Sequence, residues 1–552
     1  MKKDLVKILR SSLESMGAAP LSEIDVEVPK NEAFGDLSTP LAMGLAKQLR
    51  KPPRKVAEEI IAAIKDMGII EKIEVAGPGF LNFTFTREYL YASLNKILSG
   101  EKSFLREDVG RGRKVLVEFV SANPTGPLHI GHAKGAAVGS ALCNILEETG
   151  FRVEREYYIN DAGRQVLLLG ESVFAKYMNL CGEAGYAFPE DGYRGDYIDD
   201  IAREFREQEG DRYYQTSKEE GSSMKGIGAA KEFAYRKMLE LIKSDIDLFR
   251  IRPFDQWISE RSLYEKGEVD GAIAFLKAKG YMYVKDGALW FRSTDFGDDK
   301  DRVVIKGDGE YTYFASDIAY HKDKLDRGFD VIVDIWGADH HGYIQRIESV
   351  MKAFGYDSSK FKVILVQMVN LLKHGEPFQM SKRAGNFVTL SEVVELVGAD
   401  TTKFIFLTRK SDSHLDFDID VVTATSAENP VFYVQYANAR INSILANARE
   451  KGVDIEIGDM DFSLLNTEEM TIVKKLLIYP MVLEGAARAF EPHRITFFLQ
   501  ELAGMFHPYY HKYKVIGDDA ATTKARLALC KAIKMILSDA LSILGVTAPE
   551  KM

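Results

Sequence analysis

Three regimes of hydrophobic patterning succeed one another along the chain. Over residues 1–104 helical and strand spacings alternate. Met1 to Leu13 is amphipathic and interrupted by charge, and Leu41 to Ile64 has helical spacing broken at Pro52-Pro53. Phe80-Leu81-Asn82-Phe83-Thr84-Phe85 then alternates with period two. This predicts a small α+β domain. From Lys114 the pattern changes: Val115 to Val120 is an apolar strand, and Gly131 to Thr149 is a helix closed by Gly150. Two further buried-strand runs follow, Val331 to Trp336 and Lys362 to Val366. Strands separated by helical segments imply a parallel, doubly wound (Rossmann-type) sheet domain over 105–390. Residues of about 160–255 are helical, polar and rich in Tyr and Gly, and read as an insertion between the halves of that sheet. After Ser391 nearly everything has helical period: Pro430 to Glu450, Glu468 to Phe490, Thr496 to Tyr510 and Thr522 to Leu544. That predicts an all-α bundle over 391–552, and a multidomain α/β chain as a whole.

Composition narrows the class. Of 552 residues 46% are hydrophobic and 28% charged, which excludes a disordered or fibrous chain. Net charge is −10, so a globally basic nucleic-acid binder is excluded, whereas a local phosphate-binding patch is not. The first 104 residues hold 15 basic against 14 acidic residues, so the acidic balance lies in the rest. Cys143, Cys181 and Cys530 are far apart and lack C-x-x-C spacing, which argues against a disulfide framework or a structural zinc site. No apolar run is long enough for a membrane span, and the N-terminus does not resemble a signal peptide. The expected setting is cytoplasmic.

The most specific chemistry is Ser121-Ala122-Asn123-Pro124-Thr125-Gly126-Pro127-Leu128-His129-Ile130-Gly131-His132. It leaves a strand and enters a helix, where free backbone N–H groups and the helix dipole favour phosphate. His129 and His132 are three apart on one face at that helix start, and Gly131 permits close approach of a flat base. The plain alternative is a Gly-rich turn whose histidines cap the helix. A second stretch, Phe378-Gln379-Met380-Ser381-Lys382-Arg383-Ala384-Gly385-Asn386, precedes a helix with a capping box of Thr389 and Glu392. Adjacent Lys382 and Arg383 in a Gly-flanked loop suit a departing pyrophosphate. Taken alone, such a loop is more often a solvated basic turn. His340-His341 could suggest metal ligands, but no Cys or carboxylate triad is spaced to complete a site, and no protein-held metal is expected.

Together the two stretches resemble the H-I-G-H and K-M-S-K-S signatures of class I aminoacyl-tRNA synthetases. The first matches in full; in the second Gln379 replaces the first Lys and Arg383 the final Ser. Phe34-Gly35-Asp36, Tyr193-Arg194-Gly195-Asp196-Tyr197, Leu415-Asp416-Phe417-Asp418, Tyr433 to Arg440 and the C-terminal Leu544 to Met552 narrow the resemblance to the arginyl-tRNA synthetases, over essentially the whole chain.

That resemblance implies ATP-dependent ligation of L-arginine to tRNA(Arg) through arginyl-adenylate. It places ATP at His129, Gly131, His132, Met380, Ser381 and Lys382, with His129, His132 and Lys382 acting in catalysis. Arginine would meet Ser121, Asn123, Glu260, Tyr313, Asp317 and Asp339. The tRNA would meet Asn82, read as exposed on its strand, and Gln435, Tyr436 and Arg440 at the start of the bundle. Mg²⁺ would bridge phosphate oxygens, activation would require bound tRNA, and a monomer is expected. An arginine pocket also makes chemical sense, since a guanidinium needs carboxylates placed for bidentate hydrogen bonds. The rivals are a class I synthetase for another amino acid, a nucleotidylyltransferase, and a tRNA-binding relative without catalysis.

Overall fold

The computed structural model describes residues 1–217, 223–378, 388–453 and 460–552. Among these, β1 (Leu37–Thr39), β2 (Ile70–Ala76) and β3 (Phe80–Phe85) form an antiparallel sheet in the order β1-β3-β2. Helices Leu41–Leu49 and Pro53–Ala63 replace the single spacing broken at Pro52-Pro53, with proline at the start of the second. Because β3 is the central strand, both of its edges are paired. Asn82, expected on an exposed strand, is buried, and its Oδ1 accepts a 2.7 Å hydrogen bond from Ser38 Oγ. A period-two pattern implies a wet face only where nothing covers it, and here both faces are covered.

The central sheet is parallel throughout, in the order β11-β10-β4-β5-β6: β4 (Lys114–Glu118), β5 (Arg152–Ile159), β6 (Gln256–Ser259), β10 (Val331–Gly337) and β11 (Phe361–Val366). β4 is central, so its carboxyl end opens at a switch in strand order, the usual ligand position in such sheets. The helix that follows, Ile130–Glu148 (the signature helix), is buried from Ala133 to Leu146, between the sheet and the C-terminal helices. A Cβ placed on Gly139 would sit 2.3 Å from Phe119 Cγ, so only glycine allows this contact. Gly139→Ala is expected to destabilise the fold by about 1–3 kcal/mol through overpacking. Its Tm checks this; an unchanged Tm would mean that Phe119 moves aside without strain.

The segment between β5 and β6 is helical as expected: Arg164–Leu180, Asp196–Glu209, Arg212–Ser217 and Ser223–Leu248 (the insertion helix). The patterning missed an excursion between β6 and β10, where β7 (Met282–Lys285), β8 (Ala288–Phe291) and β9 (Arg302–Ile305) make a second antiparallel sheet. Helix Tyr313–Asp326 (the pocket helix) then returns the chain to β10.

The C-terminal region is helical, with two departures from the pattern. β12 (Val369–Lys373) pairs antiparallel with β13 (Glu376–Pro377) and parallel with β14 (Leu415–Asp418), so a strand follows the first helices after Ser391. The single helix expected over Glu468 to Phe490 is two, Thr467–Leu477 and Tyr479–Ala489, with Pro480 in the first turn of the second. The lead helix, Pro430–Glu450, carries the chain's last residues: Gln435 Nε2 donates to Thr547 O at 2.9 Å and Asn438 Nδ2 to Pro549 O at 2.8 Å. Ion pairs Lys2–Glu484, Lys474–Asp36 and Arg488–Glu23 join the N-terminal sheet region to the bundle. Among the described residues no helix is long and apolar enough to cross a membrane.

Candidate active site

At the exit of β4 two non-glycine residues lie in the left-handed region, Val120 at φ 70° and Ser121 at φ 40°. Each such residue costs about 1–3 kcal/mol and persists only where its surroundings over-determine it. Here they do. Ser121 Oγ donates to Glu118 Oε1 at 2.8 Å and accepts from Tyr158 N at 3.1 Å, and Tyr157 OH both accepts from Ala122 N and donates to Ala122 O at 3.0 Å. The strained turn therefore throws the chain toward the signature helix in one fixed path. Asn123 emerges exposed from it, its amide bonded to Gln165 Oε1.

His129 is the N-cap of the signature helix. Its Nδ1 accepts from Gly131 N at 3.1 Å, while His132 Nδ1 accepts from His129 N at 3.3 Å. The two rings stack with centroids 3.7 Å apart. A Cβ on Gly131 would lie 2.9 Å from the His129 ring, which is the local reason for glycine there. Burial lowers the pKa of both histidines, that of His132 to about 3, with the neighbouring His129 as a lesser cause. Both rings are thus neutral at pH 7. A neutral imidazole whose Nδ1 accepts carries its proton on Nε2, so each ring serves the helix as an acceptor and keeps the character of an N–H donor at Nε2.

Backbone pairing brings the first signature against residues 388–390, which follow the second in the chain. Ile130 N donates to Val388 O at 3.0 Å, Leu390 N donates to Leu128 O at 2.7 Å, and His129 and Thr389 form an antiparallel bridge. Thr389 and Glu392 make the expected capping box. Met380, Ser381 and Lys382 lie outside the described residues.

The carboxylate pocket lies on the other side of β4. Glu260 opens the helix Glu260–Glu265, capped by Ser259, and is 3% exposed, with Oε2 buried and, among the described residues, lacking a hydrogen-bond partner. Burial, reinforced by the charges of Asp317 and Asp161, raises its pKa to about 7. Tyr313 and Asp317 lie four apart on the pocket helix, as the spacing implied. Tyr313 is exposed at its first turn; Asp317 accepts from Tyr343 OH, and burial raises its carboxyl pKa. Burial, with lesser contributions from the charges of Glu260 and Asp317, raises the pKa of the Tyr158 and Tyr264 hydroxyls, so the two carboxylates lie near both rings. Asp339 is set apart, well exposed after β10 and 3.5 Å from His340.

Sequence reasoning missed the supports. Asp161 accepts from Tyr235 OH, Ser259 Oγ and Arg261 N, fixing the turn that carries Glu260. Behind the pocket, Lys324 is buried between Glu118 and Asp334, and Arg346 stacks on the Tyr343 ring. Buried charges at such spacing leave no periodic signature. In the bundle, Arg440 is sandwiched 4.5 Å from the Tyr436 ring and 4.7 Å from that of Tyr510, and donates to Tyr436 OH. Gln435 points the other way, into the C-terminal tail. Its amide is already used.

Comparison with known proteins agrees with this geometry. Residues 93–443 match the model of class I tRNA synthetases (R), catalytic domain; residues 3–85 match the arginyl tRNA synthetase N-terminal domain; and residues 434–552 match the DALR anticodon binding domain. The chain is 48% identical to an arginine–tRNA ligase of Syntrophotalea carbinolica, over 98% of its length and 97% of the relative's. It is also 48% identical to an arginine–tRNA ligase of Geobacillus thermodenitrificans, covering 100% of this chain and 99% of that one. The solved arginyl-tRNA synthetase of Thermus thermophilus superposes with a TM-score of 0.78 over 100% of both chains at 22% identity, a likeness of fold. A parallel five-stranded sheet, a strained turn into paired neutral histidines and a carboxylate pocket beside them thus sit in a chain that belongs to the arginyl-tRNA synthetases of class I.

Proposed function

We infer that this chain joins L-arginine to tRNA(Arg) in two ATP-driven steps. The arginine carboxylate attacks the α-phosphorus of ATP and pyrophosphate leaves. A terminal ribose hydroxyl of the tRNA then attacks the acyl carbon and AMP leaves. The first nucleophile belongs to the substrate, so no protein nucleophile is needed and catalysis rests on positioning and charge stabilisation. In our reading the Nε2–H groups of His129 and His132 donate to the nucleotide phosphates at the helix N-terminus. Gly131 leaves room for the base, and Lys382, with Met380 and Ser381, follows the pyrophosphate. Mg²⁺ carried by the nucleotide would supply counter-charge to its phosphates, since no group of side chains among the described residues is arranged to hold a metal of its own.

The observation that carries arginine is the buried, unpartnered Glu260 oxygen. A charged acceptor without a donor is costly, and a guanidinium held between Glu260 and Asp317, beside Tyr313, would satisfy it. Asn123, exposed at the turn, is placed for the amino acid's α-groups; Ser121 acts through the turn itself, and Asp339 by an outer contact. With Glu260 titrating near pH 7, a proton competes with the guanidinium. The arginine KM is expected to rise about tenfold from pH 8 to pH 6, and Glu260→Gln should flatten that rise. A pH-independent KM in the unaltered enzyme would contradict it. The linkage has a second side. Because the folded pKa lies above the unfolded one, Glu260 costs the ligand-free fold stability as pH rises from about 4.5 through 7, and arginine should restore it.

For the tRNA, the partly exposed stack of Phe432, Tyr436 and Arg440 on the lead helix offers a base platform. On the N-terminal sheet region, Phe34 is 49% exposed and offers the ring that buried Asn82 does not. The working unit is taken as a monomer, in the cytoplasm.

A further inference from the structure

Beyond the Asn123–Gln165 bond at its start, the first signature is held by the inserted helices at two further points. Tyr197 OH donates to Thr125 O at 2.9 Å, and Leu128 N donates to Asp245 Oδ2 at 3.0 Å. These contacts bracket Thr125-Gly126-Pro127-Leu128, the four residues before His129. Tyr197 opens the helix Asp196–Glu209, and Asp245 lies in the last turn of the insertion helix. Asp245 is 6% exposed and, among the described residues, makes no ion pair. Its recorded partner is the Leu128 amide. A buried carboxylate without a counter-charge is costly to keep and is found where a fold needs an acceptor at one place.

The base of that helix is itself pinned. Lys403 Nζ donates to Arg250 O at 2.8 Å, and the Arg250 guanidinium pairs with Asp400 at 3.2 Å. Asp245 is therefore presented from an anchored rod. We propose that Tyr197 and Asp245 are positioning residues, a two-point clamp by which the insertion fixes the signature loop and so the rings of His129 and His132. The clamp rests on the placement of the nucleotide phosphates at those rings.

The test measures kcat and KM for aminoacylation of tRNA(Arg), per titrated active site, in Tyr197→Phe, Asp245→Leu, Asp245→Asn and the double variant Tyr197→Phe/Asp245→Leu. A displaced ring pair costs positioning, so Tyr197→Phe and Asp245→Leu should each lower kcat about 10- to 100-fold, with the arginine KM within twofold. The double variant should lose less than the product of the two, because both act on one loop. Asp245→Asn keeps an oxygen acceptor for the Leu128 amide and should regain most of the activity. A purely structural role would reduce the titratable fraction and leave kcat per site intact, which overturns the clamp. Wild-type kcat in Asp245→Leu and Tyr197→Phe, or a loss expressed in arginine KM, also overturns it. His132→Ala run in parallel separates the two ideas. If it is impaired while the clamp variants are normal, the clamp alone fails; if it is normal, the placement of the phosphates fails and takes the clamp with it.

Discussion

Replacing Glu260 by Gln or Asp317 by Asn should each raise the arginine KM steeply, with kcat/KM for arginine falling about 10²–10⁴-fold. Both amides preserve shape and delete charge. In a partly dry pocket, removing one carboxylate leaves a charged donor without its partner, which costs about 3–5 kcal/mol. Among the described residues the Glu260 Oε2 has no donor, and Tyr343 OH donates to Asp317. The ATP KM should barely move, because neither side chain reaches the signature turn. The two losses should be less than additive, since both act on one planar cation. Unchanged arginine KM in both variants would move the guanidinium site elsewhere.

His132→Ala should lower kcat about 10²–10³-fold with little change in arginine affinity. It removes an Nε2–H donor from the helix mouth, and a donor aimed at transition-state charge is worth that much in a water-poor site. It also removes the Nδ1 that accepts from His129 N, so the cap loosens and stability falls by about 1 kcal/mol. Because the His132 pKa is held near 3, its protonation should not shape the rate between pH 6 and 8. A kcat near that of the unaltered enzyme would remove His132 from the phosphates.

The layered fold was legible from three largely apolar strands, β4, β10 and β11, and from the small residues of the signature helix; β5, with Arg152, Glu154, Arg155 and Glu156, and the four-residue β6 carry no such run. The antiparallel β7–β9 sheet was not, since its strands are short, at four residues each, and partly exposed. The histidines posed a choice between capping and phosphate binding; the capping half is seen in both rings, whose Nδ1 atoms accept from backbone amides of the helix start. Asn82 misled because alternation along a strand cannot report that it is central. Gln435 misled because the C-terminal tail returns to its helix from over 100 residues away. Glu260 and Asp317 were found through resemblance. Their chemistry, a pair of acids whose carboxyl pKa values burial raises, appears only once the chain brings Asp161, Ser259 and the pocket helix together.

The central claim is that this chain selects arginine for tRNA. Its most direct test is aminoacylation of total tRNA with each of the twenty amino acids, labelled, in the presence of ATP and Mg²⁺. Charging with arginine alone, lost when ATP is omitted, is the predicted result. Charging with a different amino acid, or with none, would contradict it.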